Sequence, residues 1–144
     1  LYIYDNPKDY GCAYFYFATD NFKNAIDILN IPKDSKTAKL FADEIKTGIL
    51  KSASTDKVLR GKGIFTLMLD VAIEELRSMG MELLIGNAAA SPDGRVYTGA
   101  MLIDQGFTEV ERLYRPWNHI KSLCPVCKKE YCECDSAVFI KELI

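Results

Sequence analysis

Hydrophobic positions change period several times along the chain, and the changes divide it into elements. Gly11 to Ala18 (GCAYFYFA) is an aromatic run suited to a pleated, half-buried surface; it follows turn chemistry at Asn6-Pro7-Lys8-Asp9 and is read as a strand. Between Asn21 and Leu29 the apolar residues Phe22, Ala25, Ile26 and Leu29 recur at helical spacing, and Ile31-Pro32-Lys33-Asp34 ends that helix. A second helix is expected from Ser35, capped by Ser35 or Asp34, with a stripe of Ala38, Leu40, Phe41, Ala42 and Ile45 and a stop at Gly48. Gly48 to Asp56 then reads as a strand. From Ile64 to Met79, Phe65, Met68, Leu69, Ala72, Ile73, Leu76 and Met79 share one helical face, with Gly80 as the stop signal and Arg77 near the negative pole. Met81 to Ile85 is a short apolar strand, so residues 48–85 form a strand, helix, strand unit with a parallel pair and a right-handed crossover. Ser91-Pro92-Asp93-Gly94 is a turn, Val96 to Asp104 a short helix closed near Gly106, and Phe107 to Tyr114 and Ala137 to Leu143 are strands. The pattern predicts an α/β (α+β) fold with a central mixed sheet, flanking helices and a single domain over residues 1–144.

Composition adds exclusions. With 18 Lys+Arg against 20 Asp+Glu the formal charge is −2, the wrong sign for holding a polyphosphate backbone, so no nucleic-acid partner is expected. A content of 49% hydrophobic and 26% charged residues is that of a folded soluble chain, which at this size hides roughly 70% of its unfolded surface. Apolar runs such as Ala13 to Ala18 and Met81 to Ile85 fall short of the ~20 residues a spanning helix needs, so no membrane partner is expected. No signal-peptide pattern stands at the beginning, where the sequence opens on Leu1. Four of the five cysteines crowd into residues 124–134 while Cys12 stands alone, which is a reduced or metal-bound group rather than a disulfide framework and favours a cytoplasmic setting.

The most informative passage is Arg60-Gly61-Lys62-Gly63, where a strand hands over to the long helix. Backbone N–H groups without intrahelical partners converge there, glycines permit positive φ and close approach, and the helix pole favours an anion by ~1 kcal/mol. The alternative is a tight turn whose glycines serve geometry alone. The loop is neither a P-loop, since Ile64 follows Gly63, nor the dinucleotide fingerprint, which needs three spaced glycines. It resembles the pyrophosphate loop of the GCN5-related N-acetyltransferases, the GNAT family, whose pattern Arg/Gln-x-x-Gly-x-Gly/Ala is met at Arg60 and Gly63, while Phe65 stands where the family has a small residue. The resemblance covers residues 48–143 and is weak over 1–47. It implies acetyl-CoA as co-substrate, its pyrophosphate held by Arg60, Gly61, Lys62, Gly63, Ile64 and Phe65. It further implies that the pantetheine lies along the first of two splayed parallel strands at Ser54, Thr55 and Asp56.

Acetyl transfer needs a neutral amine, a polarised thioester carbonyl and a proton for the departing thiolate. The family's tyrosine, four residues before the Gly106-Phe107 pair, is replaced here by Leu102. Tyr97 lies about 140° away around a helix, so it reaches the thiol only if the helix start is displaced; Tyr97 is the catalytic candidate on that condition, with Tyr114 as its competitor. Asp56, Glu109 and Glu111 are candidate bases, none singled out by spacing. Asn87 reads as a turn residue or a hydrogen-bond donor to cofactor or substrate.

Cys124-Pro125-Val126-Cys127 and Cys132-Glu133-Cys134 fall in an insertion, residues 118–136, before the last strand. Four soft ligands favour one structural zinc at Cys124, Cys127, Cys132 and Cys134, with His119 as a substitute; four reduced thiols or iron–sulfur or redox use are the alternatives. The reading that follows is an N-acetyltransferase acting on a small-molecule or peptide amine by direct transfer, with a homodimer left open. The competing reading is a catalytically inactive acyl-CoA-binding or zinc-stabilised interaction module.

Overall fold

A computed structural model describes residues 2–6, 11–96 and 98–143. Strands β1 (Tyr2–Asn6) and β2 (Gly11–Asn21) pair antiparallel and lead into helix α1 (Phe22–Ile28). Strand β3 (Lys46–Thr55), helix α2 (Ile64–Ser78) and strand β4 (Leu83–Ala90) form the expected parallel unit, and helix α3 (Gly99–Asp104), β5 (Thr108–Leu113) and β6 (Asp135–Glu142) complete a sheet ordered β1-β2-β3-β4-β6-β5. Among the described residues only β3 and β4 run parallel. Among the described residues no helix is long and apolar enough to cross a membrane.

Alternation along the strands divides the core between the sheet's two faces. Phe15, Leu84, Ala88, Ala137 and Phe139 pack with Met68, Leu69 and Ile73 of α2 and Leu102 of α3. Ile49, Leu83, Ile85, Val138 and Ile140 pack on the other face with Phe22, Ala25 and Ile26 of α1. Asn21 caps α1 by accepting the Asn24 N–H at 2.8 Å. Helix α2 ends as its glycine signals: Gly80, at φ 86°, lets its own N–H and that of Met81 reach the carbonyls of Arg77 and Leu76.

The helix expected from Ser35 to Gly48 is not formed. The Ser35 hydroxyl does accept the Ala38 N–H, but only a 3₁₀ turn at Thr37–Lys39 follows, and β3 already begins at Lys46. Tertiary pairing overrides local periodicity here. Lys46 and Thr47 pair with Asn21 and Asp20, Leu40 is exposed, and Phe41 turns its edge to Phe22 with ring centres 5.4 Å apart. The turn is pinned from across the molecule by Glu111 of β5, whose carboxylate accepts the N–H groups of Lys36 and Thr37 and the Thr37 hydroxyl at 2.5 Å.

Strand β4 is also longer than Met81 to Ile85, running on through Gly-Asn-Ala-Ala-Ala because β6 pairs with it as far as Ala90↔Asp135. Asn87 is therefore a strand residue, and its Nδ2 donates to the Leu29 carbonyl at the end of α1 at 3.4 Å.

Burial opposes ionisation of Glu111, yet the Thr37 hydroxyl and N–H and the Lys36 N–H outweigh it and hold the carboxyl below its ordinary 4.5. A depressed folded-state pKa contributes stability that is complete above the unfolded value and lost as pH falls through the folded one. Glu111→Ala, which strands the fully buried Thr37 hydroxyl, is expected to destabilise the protein by about 1–3 kcal/mol at neutral pH in urea denaturation. The deficit should shrink as pH falls below 4.5; a constant deficit would mean that the carboxylate's charge contributes nothing.

Candidate cofactor cleft and cysteine cluster

Two strands that begin as neighbours separate midway. The parallel ladder runs from Thr47↔Leu83 to Leu50↔Gly86 and stops there, although β3 continues to Thr55 and β4 to Ala90. Beyond that rung β3 is paired with β2 alone and β4 with β6 alone. A bulge coincides with the parting: Tyr16 faces Ser52 and Phe17 faces Leu50, so Lys51 is the extra residue that bends β3. At the last rung a Cβ on Gly86 would stand 3.1 Å from the Leu50 Cβ, so a glycine there lets the strands meet closely before they part.

Backbone alternation decides which groups of β3 face the gap. The Asp56 N–H donates to the Cys12 carbonyl at 2.9 Å and its carboxylate accepts the Cys12 N–H at 2.7 Å, so Asp56 is turned to β2. In an antiparallel pair alternate residues bond their partner, which turns Ser54 and Ser52 to β2 as well and leaves the peptide groups of Ala53 and Thr55 facing the gap. Of the three positions Ser54, Thr55 and Asp56, Thr55 alone turns its peptide group to the gap, and Ala53 is the other residue of that row.

The connection from β3 to α2 brings the glycine loop to the same end of the sheet. A 3₁₀ turn at Lys57–Leu59 drops the Leu59 side chain into the core, and Gly61 and Gly63 follow at φ 77° and 75°. Gly63 caps α2, and the first intrahelical bond runs from the Leu67 N–H to the Gly63 carbonyl. The N–H groups of Gly63, Ile64, Phe65 and Thr66 therefore lack helical acceptors and open toward the loop. A Cβ added at Gly61 or Gly63 would meet nothing within 4 Å, so these glycines answer to backbone conformation rather than crowding. Arg60 and Lys62 are exposed beside them. Phe65 turns its ring from the loop to the sheet, edge-on to Phe15 with centroids 4.7 Å apart.

The catalytic candidates are distributed unevenly. Tyr97 lies outside the described residues. Leu102, the position of the family's tyrosine, is buried in the core against the sheet. Tyr114 is exposed just past the end of β5 with the Arg115 guanidinium over its ring. All three candidate bases are engaged: Asp56 with the Cys12 N–H, Glu109 with Arg112 at 2.7 Å, and Glu111 with Thr37.

Cys124, Cys127, Cys132 and Cys134 converge, all four sulfurs lying within 4.8 Å of one another. The Cys124–Cys134 and Cys127–Cys132 separations are 4.0 and 3.9 Å, and the thiols are free. Four sulfurs at 2.3 Å around a tetrahedral ion stand about 3.8 Å apart, close to what is found. A small hairpin builds the site. Ser122 N–H donates to the Glu130 carbonyl, Lys128 N–H to the Cys124 carbonyl with Lys128 at φ 57°, and Lys121 pairs with Glu130 at 3.0 Å. Trp117 and Ala89 of β4 pack against the cluster, whereas His119 is exposed and stands outside it.

Burial works against ionisation of Cys127, but the N–H groups of Glu133 and Lys129, with the Cys124 and Cys134 thiols, bring it down to about 6. Burial raises Cys132, and burial with the neighbouring sulfurs raises Cys134. Of these three thiols, Cys127 is the one that ionises most readily in the metal-free cluster.

No protein-family model matches the sequence, and no curated protein matches it at a significant level. Solved structures match in fold. NAA60 of Arabidopsis thaliana in complex with acetyl-CoA superposes at a TM-score of 0.62 with 12% identity, over 92% of this chain and 64% of that one. An N-acetyltransferase from Staphylococcus aureus Mu50 gives 0.57 and 19% over 93% and 61%, and the ribosomal-protein-alanine N-acetyltransferase of Brucella melitensis 0.54 and 21% over 92% and 60%. The fold is that of the GNAT acetyltransferases, and the likeness reaches into the first 47 residues, beyond the 48–143 expected from the motif. This chain spans 60–64% of the length of those three structures.

Alkylation of reduced, metal-free protein at pH 7 is expected to modify Cys127 before Cys132 and Cys134, read by peptide mass spectrometry with exposed Cys12 as internal reference. Equal rates at the three sites would contradict the readier ionisation of Cys127.

Proposed function

We propose that the chain binds acetyl-CoA in the gap between β3 and β4 and transfers its acetyl group to a primary amine, a small molecule or the amino group of a peptide. The observation that carries this reading is the coincidence, at one end of the sheet, of the strand gap and the glycine-bearing start of α2. The pyrophosphate would sit on the N–H groups of Gly63 to Thr66 with Arg60 and Lys62 beside it, where helix pole and cationic side chains both favour its charge. The pantetheine would extend the sheet along β3, accepting from and donating to the peptide groups of Ala53 and Thr55.

Transfer then needs little covalent machinery from the protein. The amine nitrogen attacks the thioester carbonyl carbon, the carbon–sulfur bond breaks, and the coenzyme leaves as a thiolate while the new amide loses a proton. Backbone N–H groups of β4 beyond Gly86 that point into the gap would polarise the carbonyl. Tyr97, in the connection from β4 to α3, is the proposed proton donor to the thiolate. Water receives the amine's proton, since Asp56, Glu109 and Glu111 are committed elsewhere.

The four cysteines are proposed to hold one structural zinc. Their sulfur spacing fits a tetrahedral ion, and the ion would clip the 114–134 excursion to the sheet. That excursion packs on Ala89, so the clip would border the β4 side of the gap.

Calorimetric titration is expected to show acetyl-CoA binding that Gly63→Asp weakens at least ~10-fold, by placing a carboxylate against the pyrophosphate. Gly63→Asn, similar in size and tolerant of positive φ, should lose much less. Equal losses would make the loop a matter of shape, and no binding by folded wild type would overturn the reading. Consumption of acetyl-CoA in an amine screen, reduced in Tyr97→Phe, supports the enzyme; binding without consumption supports the inactive module.

Elemental analysis of protein purified without added metal should find about one zinc per chain, lost in Cys124→Ser together with thermal stability. Absence of metal, with the variant as stable as wild type, would remove the site.

A further inference from the structure

Ser136 is fully buried, and its hydroxyl has no hydrogen-bond partner. Among the described residues it is the one buried side-chain oxygen or nitrogen left in that state. Such a group loses its water without replacement, which native folds rarely tolerate unless something else uses it.

Register places this hydroxyl. Ser136 lies directly across from Ala89 on β4 and Leu113 on β5, and Ala89 packs against the buried thiols of Cys124, Cys132 and Cys134. Residues opposite one another on adjacent strands share a face, so Ser136 stands on the face that carries the thiols. Cys134 precedes it by two positions, the spacing that returns a strand's side chains to one side. The unpaired hydroxyl therefore stands on the face of the sheet against which the sulfur cluster packs.

The four sulfurs are unequally supplied with donors. Cys127 Sγ accepts the Glu133 N–H at 3.5 Å, and Cys132 Sγ accepts the Cys134 N–H at 3.4 Å. Among the described residues no N–H reaches the Cys134 sulfur, whose neighbour is the Cys124 sulfur at 4.0 Å. Binding a divalent ion converts each thiol to a thiolate, a far stronger acceptor, and outer hydrogen bonds then hold the ligands in place.

We propose that Ser136 is a positioning residue of a thiophilic divalent-metal centre. As the ion binds, Cys134 gives its proton to solvent, its sulfur bonds the metal, and the Ser136 side chain changes rotamer to bring its hydroxyl to that thiolate as a donor. This inference rests on the reading of the four cysteines as a metal site. It gives the buried hydroxyl opposite roles in the two states: uncompensated in the metal-free protein, engaged in the loaded one.

The test is anaerobic titration of the reduced, metal-free full chain with Co²⁺, followed by Zn²⁺ competition, in wild type and Ser136→Ala. Ser136→Ala is expected to bind Co²⁺ about 10-fold or more weakly, with its sulfur-to-cobalt charge-transfer band moved to lower energy. Its metal-free form should resist denaturant as well as wild type or better, because the unpaired hydroxyl is gone. Unchanged affinity and an unchanged band would overturn the proposal while leaving the metal site standing. A metal-free variant that is itself less stable, with an unshifted band, would overturn it in favour of plain packing. Failure of wild type to bind either ion would overturn the metal site and this inference together.

Discussion

Parallel pairing holds β3 and β4 together only from Thr47↔Leu83 to Leu50↔Gly86. Past that rung each strand keeps one neighbour, and each turns a row of peptide groups toward the other across a gap. Gly86 and Lys51 set the place. The first lets the two strands approach at the final rung, and the second is the extra residue that bends β3 immediately afterwards. A sheet interrupted in this way offers main-chain donors and acceptors for a ligand to complete. The crossover rule for parallel strands brings the start of α2 to the same end, so an anion-binding helix terminus comes with the gap rather than being added to it.

The cysteine cluster belongs to the same arrangement. The free half of β4, residues 87–90, is held in the sheet by residues 135–138 of β6, and β6 emerges directly from Cys134. Whatever fixes the thiols therefore fixes the entry of β6, and through it one wall of the gap. Four sulfurs gathered without a disulfide, packed on Ala89 and Trp117, hold that entry with modest apolar area. An ion that replaced weak thiol contacts by metal–sulfur bonds would stiffen the excursion far more than packing alone.

Much of this was legible in the sequence where one physical signal dominates. Helix α2 repeats its apolar face over four turns and carries its own stop at Gly80, so periodicity and capping agree. The glycines at 61 and 63 stood out because positive φ is costly for any other residue type, and the cysteines because thiols so closely spaced have few other uses. What failed depended on distant partners. The helix expected at 35–48 has a helical stripe, yet its backbone is claimed by Glu111 from β5 and by β2, about which local periodicity is silent. The end of β4 reads Gly-Asn-Ala-Ala-Ala, which has no strand signature without β6 beside it. The bulge at Lys51, which turns Ala53 instead of Ser54 toward the gap, exists only as a mismatch of register between two strands.

The two departures from the GNAT motif differ in weight once packing is considered. Phe65 occupies a position for a small residue, but its ring lies edge-on to Phe15, away from the loop mouth, so the backbone N–H groups keep their arrangement. Leu102 is different. Its side chain is part of the core between α3 and the sheet, where a phenol would need a buried partner for its hydroxyl. The leucine thus leaves α3 without a phenol at that position and without disturbing the fold, and Asp56, Glu109 and Glu111 are each engaged by other partners. For the proposed transfer, an acceptor whose amine is neutral near the working pH, or a thiolate protonated by water, would ask least of such a site. In the proposed transfer, binding geometry supplied by main-chain groups would then be the chief source of rate.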